Sequence, residues 1–327
     1  MNDSVLEQVL QAVVTAGKAI LAVRDHTEMV VERKADESPV TQADTAAHHI
    51  LMSALERLSY GPVLSEEGQK IPWVERQSWQ QYWLVDPLDG TKEFVQGRAE
   101  FTVNVALIRD GEPIFGVVSA PALEQLYVGC LNSDLTGHNT MAWKARLPKS
   151  DVFALSDLDR EPLRVVSPPV ESAPWRVVGS RLHQSAESQA FLSCFPEYTL
   201  MSIGSSLKFC RIAEGLADIY PRMAPTSEWD TAAAHAVLLA AGGEVINRNT
   251  GEALVYNSKS SLLNPHFGEQ APLKTSGIVL IDDIELHLHP YWQKTILNRL
   301  TNTFPQLQFI VATQSPDILT TVQPENI

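Results

Sequence analysis

Over residues 4–24 the chain places Val5, Val9, Leu10, Val13, Val14 and Ile20 on one stripe, three or four positions apart. That spacing predicts an amphipathic helix. Residues 29–32 make a short strand candidate. Thr41-Gln42-Ala43-Asp44 then resembles a capping-box entry to a helix running to about Leu58. Apolar runs at 62–64 and 83–85 read as strands. Residues 102–108 and 114–119, separated by Arg109-Asp110-Gly111-Glu112-Pro113, predict a hairpin, with 126–130 as a third antiparallel strand. Residues 132–162 are polar and poorly periodic, and read as loop or a hairpin excursion. Strands at 164–166 and 176–178, helices at 186–195 and 206–214, and a strand at 217–220 follow. An alanine-rich helix at 231–241 ends at Gly242-Gly243 and gives way to a strand at 244–246. Alternating helices and strands with hairpins predict a layered α/β or α+β architecture.

The pattern changes near Phe267. Gly268-Glu269-Gln270-Ala271-Pro272 reads as a linker. Beyond it, a strand at 278–281, a helix at 290–300 and a strand at 309–312 make one βαβ element, too small for a robust core of its own. The expected organisation is a main domain over 1–267, with halves at about 1–160 and 161–267, a linker over 268–276, and a small segment over 277–327.

Composition narrows the function. The chain has 327 residues, 44% apolar and 20% charged, as globular proteins do. Its net charge of −14 argues against a nucleic-acid partner, since phosphate backbones require basic patches. A small anionic substrate remains compatible, because a bound metal reverses the local sign. Cys130, Cys194 and Cys210 form no CxxC and read as buried thiols of a reducing compartment. The N-terminus lacks a signal-peptide pattern, and no apolar run reaches the length that spans a bilayer, so a cytoplasmic protein is expected.

The candidate chemistry lies in four acidic clusters. Asp86-Pro87-Leu88-Asp89-Gly90-Thr91 ends an apolar run, so its two carboxylates converge and require a cation; hard oxygen donors favour magnesium over zinc. Glu66-Glu67 follows a strand, Asp44 lies at a helix entry, and Asp230 follows Trp229 at another. Taken singly, Asp44 and Asp230 read as helix caps and Glu66-Glu67 as a surface turn. Gly90 and Thr91 lead into a helix start, where N–H groups favour phosphate.

Together, Asp44, Glu66-Glu67, Asp86 to Thr91, and Trp229-Asp230 followed after eleven residues by Gly242-Gly243 resemble the signature of the lithium-sensitive, magnesium-dependent phosphatases of the inositol monophosphatase superfamily. The resemblance covers about residues 1–267. It implies the layered αβαβα sugar-phosphatase fold. Residues 82–94, 100–104, 202–210 and 219–222 are most similar to the CysQ-type 3′(2′),5′-bisphosphate nucleotidases. That subgroup implies hydrolysis of the 3′-phosphate of adenosine 3′,5′-bisphosphate, in clearance of the by-product of sulfate activation and sulfotransfer. Carried over by position, Glu66, Asp86 and the Leu88 carbonyl hold one Mg2+, and Asp86, Asp89 and Asp230 hold a second; a third, weaker ion sits near Glu66 and Asp44. Glu66 and Thr91 orient the attacking water, with Asp44 as proton acceptor. On the substrate side stand Glu66, Leu88, Asp89, Gly90, Thr91, Ser205, Lys208, Arg222 and Asp230; the two cations are candidates for the second phosphate, with surface charge as the alternative reading. Inositol monophosphate or another sugar phosphate is the alternative substrate. Family members often dimerise, and CysQ-type proteins can associate peripherally with the cytoplasmic face of the inner membrane; both are expectations of the resemblance alone.

The C-terminal segment carries its own resemblance. Gly277 to Asp283 looks like a Walker B strand, and with Leu286-His287-Leu288-His289-Pro290 and residues 309–316 it is similar to ATPases of the RecF/OLD sort. Asp283 stands where that family has Glu, and Gln314 where it has His. No GxxxxGK[ST] occurs in the chain, so nothing cradles a nucleotide's phosphates and no ATPase activity is expected. A truncated ATPase fused to a complete phosphatase is the simplest reading. A phosphatase-like scaffold that docks an ATPase-like partner is the non-enzymatic alternative.

Overall fold

The computed structural model describes residues 3–25, 31–33, 39–131, 139–150, 152–167, 174–179, 189, 191–192, 195, 197–270, 277–281, 297, 307–311, 313 and 315–316. The chain forms two compact units, Met1–Ala271 and Pro272–Ile327.

The first unit is layered. Helix α1 (Asp3–Asp25) lies beside α2 (Gln42–Leu58), and both cover one face of a seven-stranded sheet. By length and composition α1 is apolar enough to cross a membrane, which corrects the reading that no segment is. Leu6, Val9, Leu10, Val13 and Ile20 are nevertheless buried, as in a core helix. Two short strands, β1 (Val31–Arg33) and β2 (Pro39–Thr41), pair antiparallel ahead of α2. Thr41 caps α2, and the Asp44 carboxylate returns to the Thr41 N–H, completing the expected capping box.

The large sheet runs β3 (Val63–Ser65), β4 (Gln81–Asp89), β5 (Thr102–Arg109), β6 (Glu112–Ala120), β7 (Gln125–Cys130), β8 (Met141–Arg146) and β9 (Glu161–Pro162) in spatial order. β3 pairs parallel to β4, and the other neighbours are antiparallel. Between β3 and β4 lies the one-turn helix α3 (Trp73–Arg76), and after β4 the short helix α4 (Thr91–Val95). Of the two readings of 132–162, loop or hairpin excursion, β8 bears out the hairpin. Its six residues match β7 one for one, so backbone pairing supplies what a weak apolar pattern did not announce. Residues 164–166, expected as a strand, join none, although Val165 N–H reaches Ala241 O at 3.0 Å.

The other face of the sheet carries α5 (Leu207–Ala213) and α6 (Ala232–Ala240). Beyond them lies a five-stranded sheet in the order β11 (Tyr198–Ser202), β10 (Trp175–Gly179), β12 (Ile219–Arg222), β14 (Phe267–Gln270), β13 (Glu244–Asn247). Val177, Leu192 and Ile219 form a small cluster with the partly buried Phe191 and Phe195, the start of a further layer. The helix expected over 186–195 lies mostly outside the described residues.

Two contacts fix the site. α6 sits on Gly116 and Gly129, which face each other across β6 and β7. A Cβ on Gly116 would stand 2.1 Å from Ala233 O, and one on Gly129 2.4 Å from the Val237 Cα. Only glycine admits this approach. The second contact corrects the linker: Gly268, Glu269 and Gln270 belong to β14, which pairs antiparallel with both β12 and β13. The segment reads as linker because Gly, Glu and Gln are poor strand formers, but its neighbours' exposed backbone groups recruit it.

In the second unit β15 (Gly277–Ile281) pairs parallel to β16 (Leu307–Val311). The helix expected over 290–300 lies mostly outside the described residues, and Asp282, Asp283, His287, His289 and Gln314 lie outside them.

Candidate active site

The C-terminal end of β4 is where the acids meet. In its register with β5, Asp86 faces Asn104 and Asp89 faces Thr102, so three steps on β4 oppose two on β5. This bulge lets two carboxylates three residues apart share one face, which strict alternation forbids. Pro87 lies inside it, where a missing N–H costs no ladder bond. Asp86 Oδ1 accepts from the Leu88 N–H at 3.0 Å. β3 stops one residue short of Glu66, whose N–H bonds Val85 O at 3.1 Å, so parallel pairing sets Glu66 beside Asp86. Asp230 comes from the turn before α6. Its Oδ2 accepts from Thr226 Oγ1 at 2.7 Å and from the Ser227 N–H at 2.9 Å. Carboxylate oxygens of Glu66, Asp86 and Asp230 lie within 4.8 Å of one another. Asp89 stands close enough to feel the charges of Asp230 and Glu66, its Oδ2 held by the Ser206 N–H at 2.6 Å.

The electrostatics follow. Burial pushes Asp86 well above the usual carboxylate range, and the charges of Glu66, Asp89 and Asp230 add to the shift. Burial and the Asp230 charge push Asp89 up to about 7. Burial raises Asp230 too, against the hydrogen bonds from Thr226 and Ser227. Carboxylates gathered this closely do not all ionise without a counter-charge. Asp86 Oδ2 is buried with no hydrogen-bond partner. An acceptor-only oxygen left so, among other hard oxygens, fits a divalent cation such as Mg2+.

Beside the cluster, Thr91 Oγ1 donates toward Leu88 O at 3.2 Å and Asp44 Oδ1 at 3.3 Å. Asp44 Oδ2 accepts from both the N–H and the hydroxyl of Thr41, each at 2.7 Å. Asp44 is therefore a cap and a partner of Thr91 at once. Burial raises its carboxyl, although the Thr41 hydrogen bonds oppose the shift. Gly90, at φ 88°, makes the turn into α4 that no other residue adopts as easily.

A cleft opens from the acids, lined by Asp89, Gly90, Ser205, Lys208, Arg222 and Asp230 among others. Lys208 is buried, donates to Ser205 O at 2.5 Å and lies 5.3 Å from the centre of the Tyr220 ring. Arg222 is braced by Ala224 O at 3.1 Å and Pro225 O at 2.9 Å. The structure thus brings every residue expected from the sequence to this cleft or to the carboxylates at its edge. The sequence reading assigned no positioning role to the groups behind them. Buried Arg76 donates to Asn257 Oδ1 at 2.5 Å, and Glu228 Oε2 accepts from the Asn257 N–H at 2.9 Å, bracing the turn that carries Asp230. Thr102 and Asn104 on β5 reach Ser206. Only their polar character inside apolar runs could have marked them.

Comparison with known proteins agrees with this geometry. The model of the Inositol monophosphatase family matches residues 1–277. The chain belongs to the inositol monophosphatase family. That family is metal-dependent, and the carboxylates of Glu66, Asp86 and Asp230 are placed so that they could hold an ion. The chain is 46% identical over 264 residues to the 3′(2′),5′-bisphosphate nucleotidase CysQ of Escherichia coli K12, spanning 80% of this chain and 98% of the relative. The crystal structure of CysQ from Bacteroides thetaiotaomicron, described as a bacterial member of the same family, superposes with a TM-score of 0.70 at 38% identity, covering 82% of this chain and 97% of that one. Inositol monophosphatase from Anabaena shares the fold, with a TM-score of 0.60 at 22% identity over 82% of this chain and 90% of that one. The resemblance read from the sequence and the layered phosphatase fold are both borne out. A second family, described as "AAA domain, putative AbiEii toxin, Type IV TA system", matches residues 265–320.

Proposed function

We propose that the chain hydrolyses the 3′-phosphate of adenosine 3′,5′-bisphosphate to AMP and phosphate, with two or three Mg2+ ions. Its task is to clear the by-product of sulfate activation and sulfotransfer. One observation carries the reading: a cleft lined by Asp89 and by Asp230, a member of the Glu66–Asp86–Asp230 cluster, is also lined by Lys208 and Arg222. A substrate with one phosphate needs only the first end; a second phosphate needs cations away from the metals. The 46% identity to CysQ supports the same substrate.

Glu66, Asp86 and the Leu88 carbonyl would hold one ion, Asp86, Asp89 and Asp230 would hold the second, and Glu66 with Asp44 would border a third. When bound, such ions draw off phosphate charge and acidify the attacking water. The chain's own groups do the rest. Thr91 Oγ1, within reach of both Asp44 Oδ1 and Leu88 O, turns its proton to Asp44 and accepts a hydrogen bond from the water opposite the leaving 3′-oxygen. As the new P–O bond forms and the bond from phosphorus to the 3′-oxygen breaks, the water's proton passes to Thr91 and the hydroxyl proton to Asp44, while the departing 3′-oxygen takes a proton from solvent water and leaves as the hydroxyl of AMP. Glu66 orients the same water. Gly90 and Ser205 form the cleft wall against the substrate, and Ser205 O fixes the Lys208 ammonium.

A kinetic panel tests the substrate. The account expects higher kcat/KM for adenosine 3′,5′-bisphosphate than for inositol monophosphate or AMP, and the preference to collapse in Lys208→Met. Equal turnover of inositol monophosphate overturns it.

A further inference from the structure

Thr102 and Asn104 stand two apart on β5, so both side chains leave one face of the sheet. Their partners across the ladder are Asp89 and Asp86. Directly opposed residues share a face, so these two polar side chains lie in line with the two central carboxylates. Thr102 and Asn104 are completely shielded from solvent, in a stretch whose other members are Val103, Val105 and Ala106. Ser206, also buried, meets them from the turn entering α5, more than one hundred residues later.

The three groups close a ring. Asn104 Nδ2 donates to Thr102 Oγ1 at 3.2 Å, and Ser206 Oγ donates to Asn104 Oδ1 at 2.7 Å. The Ser206 proton being so used, the 2.8 Å contact between the hydroxyls has Thr102 as donor and Ser206 as acceptor. Each member gives one hydrogen and receives one. A buried polar cluster closed by mutual hydrogen bonds stiffens the elements it joins. The elements here are the middle of the large sheet and the turn that carries Ser206, whose N–H grips Asp89 Oδ2 at 2.6 Å. That turn needs fixing, because Ser205 just before it has a positive φ of 49°, unfavourable for a residue with a Cβ. Apolar side chains would fill the same space without burying polar groups.

We infer that the Thr102–Asn104–Ser206 ring is a positioning device: it holds the Ser206 N–H where it orients Asp89 for the metal. Thr102 and Asn104 stand behind the cleft wall that Ser206 lines, and the ring acts through the Ser206 N–H on Asp89. The inference rests on the metal-dependent phosphatase reading above, and its test separates the two.

The test is Mn2+ binding to the nucleotide-free, full-length protein, followed by loss of the free-ion EPR signal, beside thermal melting of each variant. Thr102→Val keeps the shape and removes the hydroxyl; Thr102→Ser restores it. The expected result is about tenfold to a hundredfold weaker Mn2+ binding in Thr102→Val and in Ser206→Ala, the range usual for groups that orient metal ligands. Thr102→Ser is expected to stay within about threefold of the parent. Parental affinity in Thr102→Val, or a Thr102→Ser as weak as Thr102→Val, overturns the inference. If Thr102→Val does not fold, Ser206→Ala, which deletes a single oxygen, decides in the same way. A parent protein that binds Mn2+ but releases no phosphate overturns the nucleotidase reading and leaves the ring to be judged on binding alone. A parent that binds no Mn2+ overturns both.

Discussion

Thr91 Oγ1 lies 3.3 Å from Asp44 Oδ1, although the two residues are 47 positions apart and belong to different helices. The other oxygen of Asp44 is occupied in capping α2. Structure and chemistry are thus divided between the two oxygens of one carboxylate. Asp44→Asn keeps an acceptor for the cap and loses the ability to take a proton. Its kcat should fall by about 10²–10³-fold, the scale of a lost general base, with KM and melting temperature little changed. Asp44→Ala should also lose about 1 kcal/mol of stability with the cap. Steady-state kinetics and denaturant titration of the pair check this; an Asn variant with parental kcat would remove Asp44 from the proton path.

The acid cluster makes the metal-free protein sensitive to pH. Asp89 titrates near 7 when folded and near 3.9 when unfolded. Between those values the folded state binds the extra proton, so the group's contribution to stability is present at low pH and is lost as pH rises through about 7. In chelator, Asp89→Asn should therefore gain stability relative to the parent as pH rises from about 4 to about 7. Saturating Mg2+ should reverse the order, because only the carboxylate binds the cation. Urea unfolding at several pH values, with and without Mg2+, measures both differences. A gap that shrinks with rising pH in chelator contradicts the account.

The glycine seat under α6 should be unforgiving. Gly116→Ala sets a methyl 2.1 Å from Ala233 O, so the helix must shift, and Asp230 at its start shifts with it. Overpacking of this kind costs about 1–3 kcal/mol. The variant should show a lower urea midpoint and a higher Mg2+ requirement. Loss of stability with an unchanged metal requirement would detach α6 from the placement of Asp230.

The end of the phosphatase unit is set by β14. Truncation after Phe267 removes Gly268 to Gln270 from between β12 and β13 and opens two strand edges at the centre of the smaller sheet. Truncation after Ala271 keeps them. The shorter protein should be insoluble or melt far lower, and the longer one should retain phosphatase activity. Equal solubility and activity of the two would show β14 to be dispensable.

What the sequence makes legible is the chemistry that carries charge. Asp44, Glu66, Asp86, Asp89, Thr91 and Asp230 all stand out as acids or hydroxyls at the ends of apolar runs, and the structure gathers them. The αL turn at Gly90 and the cap at Thr41 are equally visible, because their causes are local. Groups whose roles exist only across the fold stay hidden. Thr102 and Asn104 are two polar letters in an apolar strand until Ser206 arrives. Gly116 and Gly129 look like defects in their strands until α6 lies on them. Gly268, Glu269 and Gln270 carry no strand signal, and their conformation is imposed by neighbours from both sides. The bulge at Pro87 is the instructive intermediate case: the proline is plain, but its consequence appears only in the register with β5.

The central claim is that the cluster on β4 turns over a nucleoside bisphosphate with Mg2+. Its most direct test is phosphate release from adenosine 3′,5′-bisphosphate by full-length protein, beside Asp89→Asn. The account predicts Mg2+-dependent release of AMP and phosphate by the parent, inhibition by lithium, and loss of at least about 10²-fold in the variant. No phosphate release by folded parent protein at saturating Mg2+, or equal turnover by Asp89→Asn, would contradict it.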